Sequence, residues 1–376
     1  MTSSLYIHIP FCASKCNYCS FNSYAGLDGI HERYVRALCA DLLHCASGGE
    51  QEALKTVFLG GGTPTFLSVN HLKHILSLCH SAFSISSDTE ISIEANPGTV
   101  DRDKLVCLLE SGVNRLSVGV QSFNDMELKE IGRIHSASEA IQAVEMAKEV
   151  GFNNCSVDLM YGLPGQSPES WQTSLERALS LGVKHLSLYN LTVEKQTPLE
   201  QMIREDRVQL SDEDEIEMMD KITAKCTAEA GLQQYEISNY AQAGYQSRHN
   251  ITYWENRNYF GIGAGAVSYQ HGSRRRNIAN PNEYCRLVES GKTVVMEEET
   301  LDNEASFRET VIMGLRMNRG VSLDILERRY GISLEKYYGK ILQKLLVDGM
   351  LEKTSGYLRL TDQGRSFANG VMAELV

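Results

Sequence analysis

The sequence predicts an α/β fold: a partial parallel (β/α)6 barrel followed by a small helical, winged-helix-like C-terminal domain. Three observations predict it. Six short runs rich in β-branched and aromatic residues alternate with amphipathic stretches over the first half of the chain, the pattern of a parallel sheet with right-handed crossovers. The polar residues that interrupt this pattern fall at the C-terminal ends of the runs, the rim on which parallel barrels build their sites. From Ser306 onward the alternation gives way to helices and two short strands.

Taken in order, the predicted strands are Leu5-Tyr6-Ile7-His8-Ile9, Thr56-Val57-Phe58-Leu59, Glu90-Ile91-Ser92-Ile93, Arg115-Leu116-Ser117-Val118-Gly119-Val120, Cys155-Ser156-Val157-Asp158-Leu159 and His185-Leu186-Ser187-Leu188-Tyr189. Between them, apolar residues recur at helical spacing near 31–46, 70–82, 101–111, 137–150 and 168–181. A cysteine loop follows the first strand and Gly60-Gly61-Gly62-Thr63 the second, while Glu94, Gln121 and Asp158 end the third, fourth and fifth. Six units rather than eight leave the barrel open, to be closed by the chain beyond the sixth strand. The stretch from about 195 to 300 reads as less regular. Its acidic run Asp212-Glu213-Asp214-Glu215 is expected to be a solvated helix face, and Gly261-Ile262-Gly263-Ala264-Gly265 is glycine-rich. Helices are expected at 306–317, 322–330 and 334–348, then strands around Leu351-Glu352-Lys353 and Tyr357-Leu358-Arg359-Leu360, then a last helix. The expected divisions are 1–195 for the barrel, 196–300 for an extension and 301–376 for the C-terminal module.

At 376 residues the chain exceeds one ordinary core, since compact domains run to about 100 to 200 residues. Its 42% apolar and 22% charged content excludes a disordered chain or a fibre. Thirty-six basic against 48 acidic residues, a formal charge of -12, argues against a general nucleic-acid binder. The C-terminal module is therefore read as a packing element or lid. No apolar run approaches the roughly 18 residues that span a bilayer, and the N-terminus lacks the pattern of a secretory signal. A cytoplasmic chain without membrane insertion is expected. Ten cysteines are too dilute for a disulfide scaffold, and only Cys12, Cys16 and Cys19 lie close together.

Those three form C-x3-C-x2-C on one loop, so that three thiolates can serve one inorganic centre. Four-iron clusters ordinarily take four thiolates, so a local trio leaves one iron open to a small molecule. A structural zinc site, which wants a fourth Cys or His, and a chance grouping of buried thiols are the alternatives.

Tyr6-Ile7-His8-Ile9-Pro10-Phe11-Cys12, the cysteine spacing with Tyr18 before its last member, and the glycine run resemble the radical S-adenosylmethionine (SAM) proteins. The resemblance implies a radical SAM barrel with a [4Fe-4S] cluster on Cys12, Cys16 and Cys19. It also implies SAM chelated at the open iron and cleaved reductively to a 5'-deoxyadenosyl radical. By the same resemblance Tyr6, Tyr18, Gly61, Gly62 and Thr63 border the cofactors. Glu94 and Asp158 would meet the cationic amine and ribose hydroxyls, Gln121 a ribose hydroxyl, and Arg133 the methionyl carboxylate in a bidentate contact.

Gly62-Thr63-Pro64-Thr65, Glu94-Ala95-Asn96-Pro97, Gly119-Val120-Gln121-Ser122-Phe123 and the run from Asp158 to Gln166 resemble, more narrowly, the oxygen-independent coproporphyrinogen III oxidase group. Within it, His249-Asn250-Ile251-Thr252-Tyr253-Trp254 is similar to the H-N-x-x-Y-W motif of HemW-type heme chaperones. The resemblance implies one of two functions: a heme chaperone that passes heme to an acceptor protein, or an oxidase that decarboxylates coproporphyrinogen III. The oxidases extend the cysteine motif to C-x3-C-x2-C-x-C and carry a longer N-terminal segment. Here Phe21 stands where the fourth cysteine would be and five residues precede Tyr6, so the chaperone is preferred and no catalytic residue is assigned. A radical SAM methyltransferase or another tetrapyrrole-modifying enzyme is a further reading. Heme is the expected partner, with His249 a candidate iron ligand beside Tyr253, Trp254 and Tyr259, or else packing at the joint with the C-terminal module. Relatives of this type often have a histidine in the glycine run, where this chain has Val267 after Ala266. Arg274-Arg275-Arg276 reads first as a surface loop and second as a partner for heme propionates. The heme acceptor is not named by the sequence, and a flavodoxin or ferredoxin is a candidate electron donor.

Overall fold

The computed structural model describes residues 3–46 and 53–376. Strands β1 (Ser3–Ile9), β2 (Leu54–Gly61), β3 (Glu90–Ala95), β4 (Arg115–Gln121), β5 (Cys155–Tyr161) and β6 (His185–Asn190) lie side by side in that order, each pair parallel. Helices α1 (His31–Ala46), α2 (Val69–Ala82), α3 (Arg102–Glu110), α4 (Ala137–Glu149), α5 (Pro168–Ser180) and α6 (Glu213–Glu229) follow them in turn. The helix starts are fixed locally. Ser68, Asp101, Ser136 and Ser167 each accept a backbone N–H of the first turn through a side-chain oxygen, which satisfies a donor the helix itself cannot.

The alternation in the strands has a physical cause at each face. Leu5, Ile7 and Ile9 of β1 are fully buried in one apolar cluster with Leu38 and Leu42 of α1 and Leu72 and Ile75 of α2. The intervening Tyr6 and His8 turn to the inner face, where the Tyr6 ring stacks on Phe58, its register partner in β2. That inner face is polar along its length: Ser92, Arg115, Ser117, Ser156 and His185 are all buried.

Several expectations need correction. The stretch after β6 is regular: β7 (Gln233–Glu236), β8 (Asn239–Ala241), α7 (Arg248–Trp254), β9 (Tyr259–Ile262), β10 (Val267–Gln270), β11 (Ser273–Asn277), α8 (Pro281–Glu289) and β12 (Val295–Thr300). These strands do not close the barrel. β9 adds to the free side of β1 in parallel, and β10, β11 and β12 continue antiparallel from it. β8 and β7 add antiparallel beyond β6, so the sheet is a twelve-stranded open ribbon. Arg274, Arg275 and Arg276 are not a loop. They lie in β11 opposite Glu299, Glu298 and Glu297 of β12 and pair with them as a ladder of ions. The acidic run at 212–215 does lie on a solvated helix, at the start of α6: Asp212 caps it, and three acids sit in its first turn, where the helix dipole favours negative charge. Gly60 and Gly61 belong to β2, and Asp158 lies within β5 rather than at its end.

The C-terminal module contains α9 (Asn303–Leu315), β13 (Val321–Ser322), α10 (Leu323–Tyr330), α11 (Leu334–Val347), β14 (Leu351–Thr354), β15 (Tyr357–Leu360), α12 (Asp362–Ser366) and α13 (Ala368–Ala373). Its three strands run in the order β13-β15-β14. The two-residue β13 was too short to be legible, and the expected last helix is two. Phe307, Leu326, Leu342 and Leu358 belong to a core of its own. The module follows directly on β12 at one edge of the ribbon and bonds to β7 at the other. Asn318 N–H donates to Tyr235 O at 3.0 Å, and Ile237 N–H to Arg316 O at 3.1 Å. It therefore spans the opening that the strands leave. Among the described residues no helix is long and apolar enough to cross a membrane.

Candidate functional site

Cys12, Cys16 and Cys19 are free and partly exposed on the loop after β1. The loop after β2 clamps its start: Gly62 N–H donates to Ile9 O and Thr63 N–H to Phe11 O, each at 2.8 Å. Gly62 is required by this approach, because a Cβ there would lie 2.7 Å from Phe11 O and 3.0 Å from Cys12 Sγ. Gly61, at φ 120, lies under the His8 ring, 2.5 Å from where its Cβ would be. His8 in turn pins the far side of the loop. Its Nε2 donates to Asn22 O at 2.9 Å and its Nδ1 accepts from Tyr6 Oη at 2.9 Å, an assignment that needs a neutral ring, in keeping with a pKa lowered by burial. Tyr18 packs against Ile131, Met160 and Leu163.

No three His, Cys, Asp or Glu side chains among the described residues are gathered closely enough for a single metal ion. A zinc site would need its ligands to meet on one atom. A four-iron cluster asks for something different: each thiolate takes its own iron, so its ligands stand spread around the cluster. Burial raises the Cys12 thiol above its ordinary pKa; hydrogen bonds from Thr63 and Ser23 oppose that, and the charges of Cys19 and Cys16 add to it.

Arg133 reaches the loop from beyond β4. Its Nη1 lies 3.5 Å from Cys16 Sγ, and its Nη2 donates to Asn96 Oδ1 and to Gly119 O. Its Nε is buried without a partner. A cavity of about 410 Å³ opens here, lined by Cys16, Thr65, Asn96, Lys104, Arg133 and His135. Asn96 is a residue to which sequence reasoning gave no role, although it stands in the run Glu94-Ala95-Asn96-Pro97. It accepts from Arg133 and donates to Thr63 Oγ1 at 2.8 Å, and Thr63 Oγ1 lies 3.8 Å from Cys12 Sγ.

Glu94 and Asp158 form a second group on the inner face. Glu94 Oε2 accepts Gly61 N–H at 3.0 Å. Its pKa is pushed up to about 8, first by burial and then by the charge of Asp158, with the Gly61 bond and Arg115 pulling the other way. Asp158 accepts from Ser117 at 3.0 and 3.1 Å and from Ser156 at 3.3 Å. Burial raises its pKa too, against the Ser187 hydrogen bond and the Arg115 charge. Gln121 ends β4 at a bulge with φ 71, a left-handed strain typical of functional positions. Three thiols, an orphaned guanidinium nitrogen and two partly buried carboxyls with raised pKa values make a donor set that suits an iron–sulfur centre and a cation bearing an amino-acid end.

His249 does not join this group. It lies in α7, near the N-terminal end of β2, and is buried. Both ring nitrogens are engaged, Nδ1 with Thr56 Oγ1 at 2.7 Å and Nε2 with Tyr253 Oη at 2.8 Å. Its ring stacks on Phe58, and burial lowers its pKa to about 3. Trp254 lies under the Arg316 guanidinium of the C-terminal module.

Residues 6–178 match the family model for the radical SAM superfamily, and residues 301–367 that for the HemN C-terminal domain. The chain is 40% identical over 370 residues to heme chaperone HemW of Bacillus subtilis, covering 98% of this chain and 97% of that one. It is 36% identical to heme chaperone HemW of Escherichia coli, again over 98% and 97% of the two chains. The solved structure of the Escherichia coli coproporphyrinogen III oxidase HemN, described as a radical SAM enzyme, superposes with a TM-score of 0.87 at 24% identity, over 100% of this chain and 90% of that one; that likeness is one of fold. With relatives this similar over nearly its full length, the chain belongs to the radical SAM superfamily and, within it, to the HemW family.

Proposed function

We propose that the chain is a heme chaperone that binds heme and hands it to an acceptor protein. In this reading Cys12, Cys16 and Cys19 hold a [4Fe-4S] cluster whose remaining iron takes SAM. One observation carries the reading: similarity to proteins named heme chaperones runs through the barrel, the extension and the C-terminal module at 40% identity. Phe21 supports it. Where the oxidases that resemble this chain have a fourth cysteine, the loop carries a phenyl ring that is 67% exposed.

When bound, the cluster supplies a one-electron reductant and an iron that the amino and carboxylate groups of SAM chelate, with a flavodoxin or ferredoxin as the electron source. The chain's own residues orient the cofactor. Arg133 offers its guanidinium to the carboxylate, Glu94 and Asp158 offer acceptors to the ammonium and ribose hydroxyls, and Gln121 offers its amide to a ribose hydroxyl. Gly61 and Gly62 leave the backbone bare for a close approach. Thr63, Tyr18 and the Tyr6–His8 pair hold the loop in position. The division into 1–195, 196–300 and 301–376 assigns cofactor binding to the first part and heme handling to the other two.

The test is anaerobic reconstitution followed by hemin titration and a porphyrinogen turnover assay on the same sample. Four irons per chain are expected, lost in Cys12→Ala, Cys16→Ala or Cys19→Ala and kept when Cys79 or Cys226 is replaced. Hemin should give a saturable Soret shift at about one heme per chain, without protoporphyrinogen formation. Turnover at enzyme-like rates with no heme binding would make the oxidase the answer.

A further inference from the structure

A second cleft of about 720 Å³ lies between the β10–β11 hairpin, the segment after α7 and the first helices of the C-terminal module. It is within the range of small-molecule sites, about 300 to 1,000 Å³. Its position is opposite the cysteine loop. Asn258 lines it and bonds Ser4 at the start of β1, whereas the cysteines follow Ile9 at the other end, roughly 17 Å along the strand.

The lining is unusual for an acidic protein: Arg257, Arg329, His271, Tyr269 and Tyr330 contribute to it, and among the described residues no Asp or Glu does. Arg329 donates to two backbone carbonyls, Asn256 O at 2.7 Å and Glu255 O at 3.4 Å, so its charge meets no carboxylate there. Arg257 shares the single carboxylate of Glu255 with Arg319. Glu309, whose charge bears on Tyr330, is itself paired with Arg274. His271 is exposed. Its ring Nε2 lies 3.4 Å from Asn258 Nδ2, while its Nδ1 bonds nothing among the described residues. His271 and Gly272 form the two-residue turn of the hairpin with φ of 52 and 83. Histidine is among the side chains that tolerate such a φ, and the turn leaves it exposed.

We infer that this cleft is the heme-docking site, with His271 as iron ligand, Arg257 and Arg329 meeting the two propionates, and Leu301 and the half-buried Tyr330 in the wall beside the macrocycle. The inference rests on the chaperone reading and specifies where its cargo sits. Heme asks for an imidazole with a free nitrogen, two cations and aromatic surface, and these groups converge here. His249 offers no free nitrogen. An open cleft also suits a ligand that must leave again.

The experiment is hemin titration of the full chain and of His271→Ala, Arg257→Ala, Arg329→Ala and His249→Ala. Axial ligation is read from electron paramagnetic resonance and magnetic circular dichroism, and metal-free protoporphyrin IX is titrated in parallel by fluorescence. His271→Ala should weaken hemin about tenfold or more, remove the imidazole signature and leave the metal-free porphyrin unaffected. Arg257→Ala and Arg329→Ala should weaken both porphyrins. His249→Ala should lower the melting temperature and keep the imidazole signature. An imidazole signature that survives His271→Ala overturns the site while leaving the chaperone reading intact. A wild-type chain with no saturable hemin binding overturns the chaperone reading, and this site with it.

Discussion

Arg133 combines a proposed duty with an observed one that the sequence could not separate. Its motif position suggested a carboxylate partner, and the structure also ties its Nη2 to Asn96 and to Gly119 O. Arg133→Ala is therefore expected to lower the melting temperature as well as SAM affinity, the latter by about 10- to 150-fold as a charge-assisted contact is lost. Arg133→Lys, which keeps the charge but not the fork, should fall between, and calorimetry that finds wild-type affinity in Arg133→Ala would remove it from the site. Glu94 makes a prediction of opposite character. Its pKa in the fold is about 8 against an ordinary 4.5, so the folded chain holds this proton more tightly than the unfolded one. Its stabilising contribution is complete below pH 4.5 and is lost as pH rises through 8. Glu94→Gln cannot ionise, so its melting temperature should gain on the wild type between pH 5 and pH 9. Parallel melting curves would mean that the carboxylate is ionised throughout. The cysteines, Glu94, Asp158 and Arg133 could be proposed from the sequence because each stands in or beside a short contiguous motif. His271 was not, because the cleft it lines is assembled from three distant segments, and no spacing in the sequence records that meeting.

The barrel helices α1 to α5 were legible to within a residue or two at their starts because spacing and capping residue agree, as at Ser136, which caps α4 with Glu139 in a reciprocal box. The same logic applies to Asp212 at α6. Asp212→Ala should cost about 1 kcal/mol in urea unfolding, a loss that Asp212→Ser largely avoids. The strands beyond β6 escaped notice for a physical reason. β8 has three residues and β7, β9 and β10 four each, too few for alternation to stand out, and β11 carries arginines on both its faces. Its stability comes from the opposite strand. Each exposed Arg–Glu rung is worth about 0.2 to 1 kcal/mol, so Arg275→Glu should destabilise by that order and Glu298→Arg in the same chain should restore it. A double variant no better than the single one, at low salt, would deny the rung any energetic role.

Across the whole molecule, the C-terminal module is docked by backbone hydrogen bonds on β7 and continues from β12, so it belongs mechanically to both ends of the ribbon. Its unfolding is expected to coincide with that of the barrel. Trp171 lies in α5 and Trp254 at the joint under Arg316, so urea transitions followed by tryptophan fluorescence and by far-ultraviolet circular dichroism should superimpose. An early fluorescence step would mean that the module undocks first. A ribbon that never closes has two margins, and the module secures only one. At the other, β12 shows its outer side to solvent, with Met296 through Thr300 all exposed. An uncovered strand margin invites another chain to pair with it, yet Glu297, Glu298 and Glu299 stand along this one. A second copy arriving there would bring like charges face to face across newly formed hydrogen bonds. Replacing the three with uncharged glutamines should therefore turn this strand adhesive, and light scattering would record self-association beginning along that margin.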